Sequence, residues 1–137
     1  MKLTTLPQIL QERAEQTPQR LSQRHKHRGI WREYSVAQVR DQVRSLALGL
    51  HRLGVERGQT VAVIGENEPE HFWAELAAQA LGCKVVSMYP DLTADETQYL
   101  LEDSEAVCLF AQDQEQVDKM LAVLPRLPLL QHIVYWD

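Results

Sequence analysis

The chain has 137 residues, 45% of them hydrophobic and 24% charged, with a formal net charge of −5. That length and apolar content fit one domain with a real core, spanning 1–137 without an internal boundary. The acidic balance excludes the basic face that a nucleic-acid binder or a protein held on anionic lipid needs, and no apolar run approaches the ~20 residues that cross a bilayer.

The N-terminus, Met1-Lys2-Leu3-Thr4-Thr5-Leu6, has no apolar core of signal-peptide length, so a soluble, cytoplasmic protein is expected. Thr5-Leu6-Pro7-Gln8 then reads as a capping box with proline in the first turn of a helix. Leu6, Ile9, Leu10 and Ala14 form its apolar stripe, and Pro18 sets its end. Leu21–His25 and Ile30–Tyr34 flank a turn at His27-Arg28-Gly29, the pattern of a hairpin. Its cations (Arg20, Arg24, Lys26, Arg28, Arg32) are read as a solvated face rather than a phosphate-binding surface, since only Trp31 and Tyr34 are there to stack.

A second capping box, Ser35-Val36-Ala37-Gln38, opens a long amphipathic helix traced by Val36, Val39, Val43, Leu46, Ala47, Leu50 and Leu53 and ended by Gly54. The centre of the chain is Thr60 to Pro90. Thr60–Ile64 and Lys84–Tyr89 are β-branched runs without alternation, as parallel strands covered on both faces are. Between them Pro69 starts a helix with Phe72, Trp73, Leu76, Ala77, Ala80 and Leu81 as its apolar rows, closed by Gly82. Thr93-Ala94-Asp95-Glu96 caps the next helix, Ala106–Phe110 is a strand, and Asp113-Gln114-Glu115-Gln116 caps a helix with Val117, Met120, Leu121 and Leu124 on one side. Pro125 and Pro128 bracket the connection to a last strand, Ile133–Trp136. The alternation predicts an α/β fold, layered αβα, with a mainly parallel sheet of at least four strands preceded by an N-terminal helix and a β-hairpin.

A nucleotide site in such a fold lies beyond the carboxyl ends of the strands, here Gly65-Glu66-Asn67, Tyr89-Pro90-Asp91 and Ala111-Gln112-Asp113. The six glycines (Gly29, Gly49, Gly54, Gly58, Gly65, Gly82) are isolated, each with a turn or helix-end reason except Gly49. A phosphate cradle needs several N–H groups converging without Cβ atoms between them, and no run supplies that. His25 and His27 could share a strand face as a metal pair, but no third ligand stands at a recognised spacing. His71 is expected at solvent or at the helix N-terminus, and His51 and His132 have no evident partner. Cys83 and Cys108 read as buried, reduced thiols. Asp91, Asp95, Glu96, Glu102 and Asp103 invite a catalytic pair, but capping and dipole compensation explain Asp95 and Glu96 just as well. Catalytic, cofactor-binding and metal residues are therefore all expected to be none.

Several runs together resemble one family. Trp31–Ser35 is similar to a tryptophan-to-tyrosine hairpin, and Ala47 to Val63 is close to a run that recurs in it. Asn67, Glu68 and Trp73, Gly82–Pro90, Thr93–Ser104 and Ala111–Lys119 follow in order over nearly the full length. The chain resembles the N-terminal portion of an adenylate-forming acyl-CoA synthetase of the AMP-binding superfamily, in its long-chain fatty acid–CoA ligase branch. The resemblance implies a two-step ligation. A fatty-acid carboxylate attacks the α-phosphate of ATP with Mg²⁺, and the CoA thiol then displaces AMP from the acyl-adenylate.

The family's phosphate loop, its adenine and Mg²⁺ sites and its C-terminal lysine lie downstream of Asp137, so the resemblance places no functional residue on this chain. It implies an incomplete N-terminal subdomain, catalytically inactive alone, binding no cofactor and using ATP, Mg²⁺ and CoA only within the full-length enzyme. The implied partners are the remainder of the synthetase, or a second copy met through exposed apolar surface beside an unpaired edge strand. The implied location is the cytoplasm, with the full-length enzyme peripheral to a membrane. The alternative is a stand-alone α/β interaction or scaffold module descended from such an enzyme. A receiver-like signalling domain is disfavoured, because no acidic pair follows the first parallel strand.

Overall fold

The computed structural model describes residues 5–137; Met1–Thr4, part of the stretch weighed above as a leader, lies outside the described residues. Helix α1 (Leu6–Gln16) opens on the expected box, in which Thr5 and Gln8 each accept the other's backbone N–H. Strands β1 (Leu21–His27) and β2 (Ile30–Ser35) pair antiparallel with His27 opposite Ile30. The reversal is therefore the two residues Arg28 and Gly29, with φ 48° and 82°, the left-handed pair that matches strand twist. His27, expected in the turn, belongs to the strand.

The second capping box, Ser35 with Gln38, starts α2 (Val36–Arg52). Then β3 (Thr60–Ile64), α3 (Pro69–Ala80), β4 (Lys84–Met88), α4 (Ala94–Asp103), β5 (Ala106–Ala111), α5 (Gln114–Val123), a 3-10 turn (Leu124–Arg126) and β6 (His132–Tyr135) complete the chain. The sheet order is β4-β3-β5-β6, parallel throughout. Successive residues of β3 face opposite layers. Val61 and Val63 meet Val39, Val43, Leu50, Trp73 and Ala77 from α2 and α3. Ala62 and Ile64 meet Leu101, Met120 and Val123 from α4 and α5. The layered fold read from the sequence is the fold observed. Among the described residues, no helix is long and apolar enough to cross a membrane.

Four apolar assignments are corrected. On α1 only Ala14 is buried, and Leu6 and Ile9 remain 58% and 41% exposed, because the helix touches α2 and α3 only from the side of Leu10. On α3, Phe72 is exposed, whereas Ala74 and Ala78 are buried because the helix sits between the sheet and α2. On α5 Val123 is buried beside Met120, whereas Leu121 is 53% exposed. Strand β4, expected to be covered on both faces, is an edge strand in which only Met88 is buried.

Gly49, the glycine without a turn to explain it, lies within α2, and a Cβ built on it meets nothing within 4 Å. Glycine inside a helix costs about 0.5–1 kcal/mol relative to alanine. Gly49→Ala is accordingly expected to raise stability by that amount, read as a higher urea midpoint at unchanged m-value.

Candidate functional site

At the carboxyl edge of the sheet, the segment after β3, the end of β4 with Tyr89, the first two turns of α3 and residues Gln23–His25 of β1 enclose a cleft of about 620 Å³. This is the edge at which a nucleotide site lies in folds of this kind, and the sequence reading named no site residue on it. Gly65 forms its back wall with φ +157°, and a Cβ there would lie 2.7 Å from Gln112 Cβ and 3.0 Å from the ring of Trp136. Gln112 is drawn in by its own bonds. Its N–H donates to the Ile64 carbonyl at 3.0 Å, its side-chain Oε1 accepts the Glu66 N–H at 2.7 Å, and its carbonyl accepts the Asp137 N–H at 2.9 Å.

Glu68 precedes α3 at its N-cap position yet makes no side-chain cap bond. Its carboxylate instead accepts the Trp136 indole N–H at 3.2 Å and lies 3.8 Å from His25 Nε2. Trp73 reaches the hairpin in the same manner, donating to Gln23 Oε1 at 2.7 Å with its ring edge-on to Tyr34 at 5.1 Å. The hairpin, α3 and the end of the chain are thus clasped together through side chains 50 and 68 residues apart in sequence.

His71, expected at solvent or at the helix N-terminus, lies in the first turn of α3 and is 7% exposed. It is covered by the Trp136 ring, which meets it edge-on at 6.3 Å. Its Nε2 lies 3.4 Å from Glu75 Oε1, and its Nδ1 is buried without a hydrogen-bond partner. The same Glu75 oxygen accepts the Ser87 hydroxyl. The order is therefore serine, carboxylate, imidazole. Activating a hydroxyl through histidine requires the ring to touch the hydroxyl and the carboxylate to stand behind it, so this sequence of contacts ties α3 to β4 and does not build a nucleophile.

The remaining candidates disperse. His25 and His27 have ring centroids 6.2 Å apart, but His25 faces Glu68, and no group of three His, Cys, Asp or Glu among the described residues could hold a metal. Glu96 is held below the usual carboxylate range by hydrogen bonds from the Thr93 backbone and hydroxyl, which is its capping role. Asp95 lies 3.7 Å from Arg126 at the surface. On the hairpin, Arg24 pairs with Glu33 at 3.1 Å and, like Lys26, lies over Trp31. Both thiols are free and buried. Cys83 donates to the Glu56 carbonyl at 3.4 Å and has a raised pKa from burial. Burial, with Cys83 nearby, pushes Cys108 from 9.0 up to about 12.

The sequence model of the family described as AMP-binding enzyme matches residues 10–137. A long-chain-fatty-acid–CoA ligase FadD15 of Mycobacterium bovis is 30% identical over 106 residues, 77% of this chain and 18% of its own length. The ligase ACSBG2 of Xenopus laevis is 30% identical over 132 residues, 96% of this chain and 18% of its own. The chain thus spans less than a fifth of the length of these curated relatives. Among solved structures, the N-terminal domain of FACL13 from Mycobacterium tuberculosis superposes with a TM-score of 0.88 at 20% identity, over 98% of this chain and 34% of that one. Acetoacetyl-CoA synthetase from Streptomyces lividans superposes at 0.86 and 25% identity, over 94% and 21%.

Two outcomes follow from this geometry. Gly65→Ala forces a Cβ against Gln112 Cβ and should lower stability by about 1–3 kcal/mol in urea unfolding, the usual cost of overpacking. The thiols give a pH dependence of one sign. Below pH 9.0 the Cys108 thiol is neutral in folded and unfolded chains alike; between 9.0 and about 12 only the unfolded chain releases the proton, so stability falls as pH rises. One such proton contributes a slope of about 1.4 kcal/mol per pH unit. Urea unfolding from pH 8 upward should show Cys108→Ala with a shallower decline than the parent chain.

Proposed function

The chain belongs to the AMP-binding enzyme family over residues 10–137, and from that premise we propose that it is the N-terminal layer of an ATP-dependent long-chain fatty acid–CoA ligase, a scaffold that is catalytically silent alone. The ligation runs through an acyl-adenylate, with fatty acid, ATP, Mg²⁺ and CoA as the reactants of the whole enzyme, in the cytoplasm or peripheral to a membrane. The observation that carries the silent role is the lining of the carboxyl-edge cleft. Glu68 and Glu75 face it, Gly65 is its lone glycine, and its one arginine, Arg24, is already paired with Glu33.

A triphosphate entering there would meet two carboxylates and a single glycine, Gly65, rather than a glycine-rich cradle. The residues do not fit magnesium–ATP, and no step of the reaction is assigned to them. What they do fit is a structural task. Glu68, Gln112 and Trp136 fix the hairpin and the terminal strand against α3, and β6, with Ile133 and Val134 half-buried and Tyr135 exposed, offers an open edge to the remainder of the synthetase.

Two measurements test this reading. Calorimetric titration of the 137-residue chain with ATP–Mg²⁺ should give no saturable heat at millimolar ligand, and oleate, ATP and CoA should yield no thioester. The same chain added to a long-chain fatty acid–CoA ligase lacking the corresponding N-terminal residues should restore thioester formation. Nucleotide binding by the chain alone would overturn the silent role. Failure to restore activity, with the chain folded, would favour the stand-alone interaction module instead.

A further inference from the structure

The tip of the hairpin carries a charge opposite to that of the chain it belongs to. Three of the 14 lysines and arginines and none of the 19 acids fall between Lys26 and Arg32, so on a molecule of net charge −5 the tip is +3 and the remainder −8. The chain-wide balance, which speaks against a basic face, averages over this lobe. Lys26, Arg28 and Arg32 are exposed, and the two arginines make no hydrogen bond or ion pair with any described residue. Of the acids beside the hairpin, Glu33 pairs with Arg24 at 3.1 Å and Glu68 accepts from Trp136.

The same tip exposes two large apolar side chains, Ile30 at 70% and Trp31 at 55%. His27 stands opposite Ile30 and Lys26 opposite Trp31, and successive cross-strand pairs face opposite sides of a ribbon. Ile30 and Trp31 therefore flank the tip on its two sides, and a partner that covers both must meet it end-on. Only the base of the hairpin is bonded to the body, with Gln23 and Tyr34 on Trp73 and His25 beside Glu68. A nucleic-acid strand would need an open aromatic face on which to stack a base. Here Arg24 and Lys26 already lie over Trp31, at 4.8 and 5.8 Å from the ring centroid, and Ile30 cannot stack.

We propose that the hairpin tip is a docking surface for an anionic phospholipid bilayer, with Ile30 and Trp31 entering the headgroup layer and Lys26, Arg28 and Arg32 meeting the lipid anions. Aliphatic and indole side chains gain by leaving water at that depth, and long cationic side chains reach back to the headgroups. Each cation near an anionic leaflet changes partitioning about fivefold, so three of them separate anionic from neutral membranes by roughly 100-fold. The −8 remainder is repelled by the same surface, which selects the tip-first orientation. This deepens the peripheral location in the proposed function and uses no step of the ligation. Restored thioester formation and vesicle binding are separate readouts, and either can fail alone.

The probe is co-sedimentation of the 137-residue chain with vesicles of phosphatidylcholine, alone or with about one-third phosphatidylserine, at about 0.1 M salt. Binding should be roughly 100-fold tighter to the mixed vesicles and weaken as salt rises. Arg28→Gln and Arg32→Gln should each weaken it about fivefold, and Ile30→Ser about tenfold, with urea midpoints like the parent's. Arg44→Gln, midway along α2, should leave it unchanged. The proposal is overturned if both vesicle types bind alike, if the tip variants bind as the parent does, or if Arg44→Gln weakens binding as much as they do. It is overturned equally if the tip captures duplex DNA or RNA while vesicles stay free, or if sedimentation shows the tip pairing two copies of the chain instead.

Discussion

Everything in this fold depends on covering both faces of one short strand. From Thr60 to Ile64 no residue of β3 is more than 3% exposed. A parallel strand so placed can present polar groups to neither side, and its backbone must be paired on both edges. β4 and β5 satisfy the edges, and two helix layers satisfy the faces. Covering a strand of five residues thus takes most of the domain.

That requirement is also why so much of the architecture was legible in sequence. The unbroken Val61-Ala62-Val63-Ile64 run, the capping boxes at Thr5, Ser35 and Thr93, and the glycines that end helices are local signals, each with a local cause. The errors occur where the outcome depends on what lies across space. Leu6, Ile9, Phe72 and Leu121 fit their helical stripes, yet each projects past the neighbour that would cover it. β4 reads as a buried strand, because whether a β-branched run lies at the centre or at the edge of a sheet is decided by strand order, which periodicity does not carry.

The carboxyl edge shows the same division more sharply. Its position follows from the rule for parallel sheets, and the sequence placed it at Gly65, Tyr89 and Gln112. Its content did not follow. No local pattern links Gln112 to Glu66, Trp136 to Glu68 or Trp73 to Gln23, pairs separated by 46 to 68 residues. His71 illustrates the cost. Beside Phe72 it looks like a surface residue, but the ring of Trp136 closes over it.

Those contacts bear on why the cleft is acidic. Glu68 stands where a helix N-cap would use its side chain on the first-turn amides, and a carboxylate there also favours the helix dipole. Its oxygens are directed to the Trp136 indole and toward His25 instead. Glu75 is similarly committed, to Ser87 and toward His71. Both carboxylates are about three-quarters buried, so each carries a desolvation cost that its hydrogen bonds must offset. Replacing either with a cation suited to phosphate would leave the indole or the serine without its acceptor. The arrangement that joins hairpin, helix and terminal strand is therefore in direct conflict with gripping a polyphosphate at this edge.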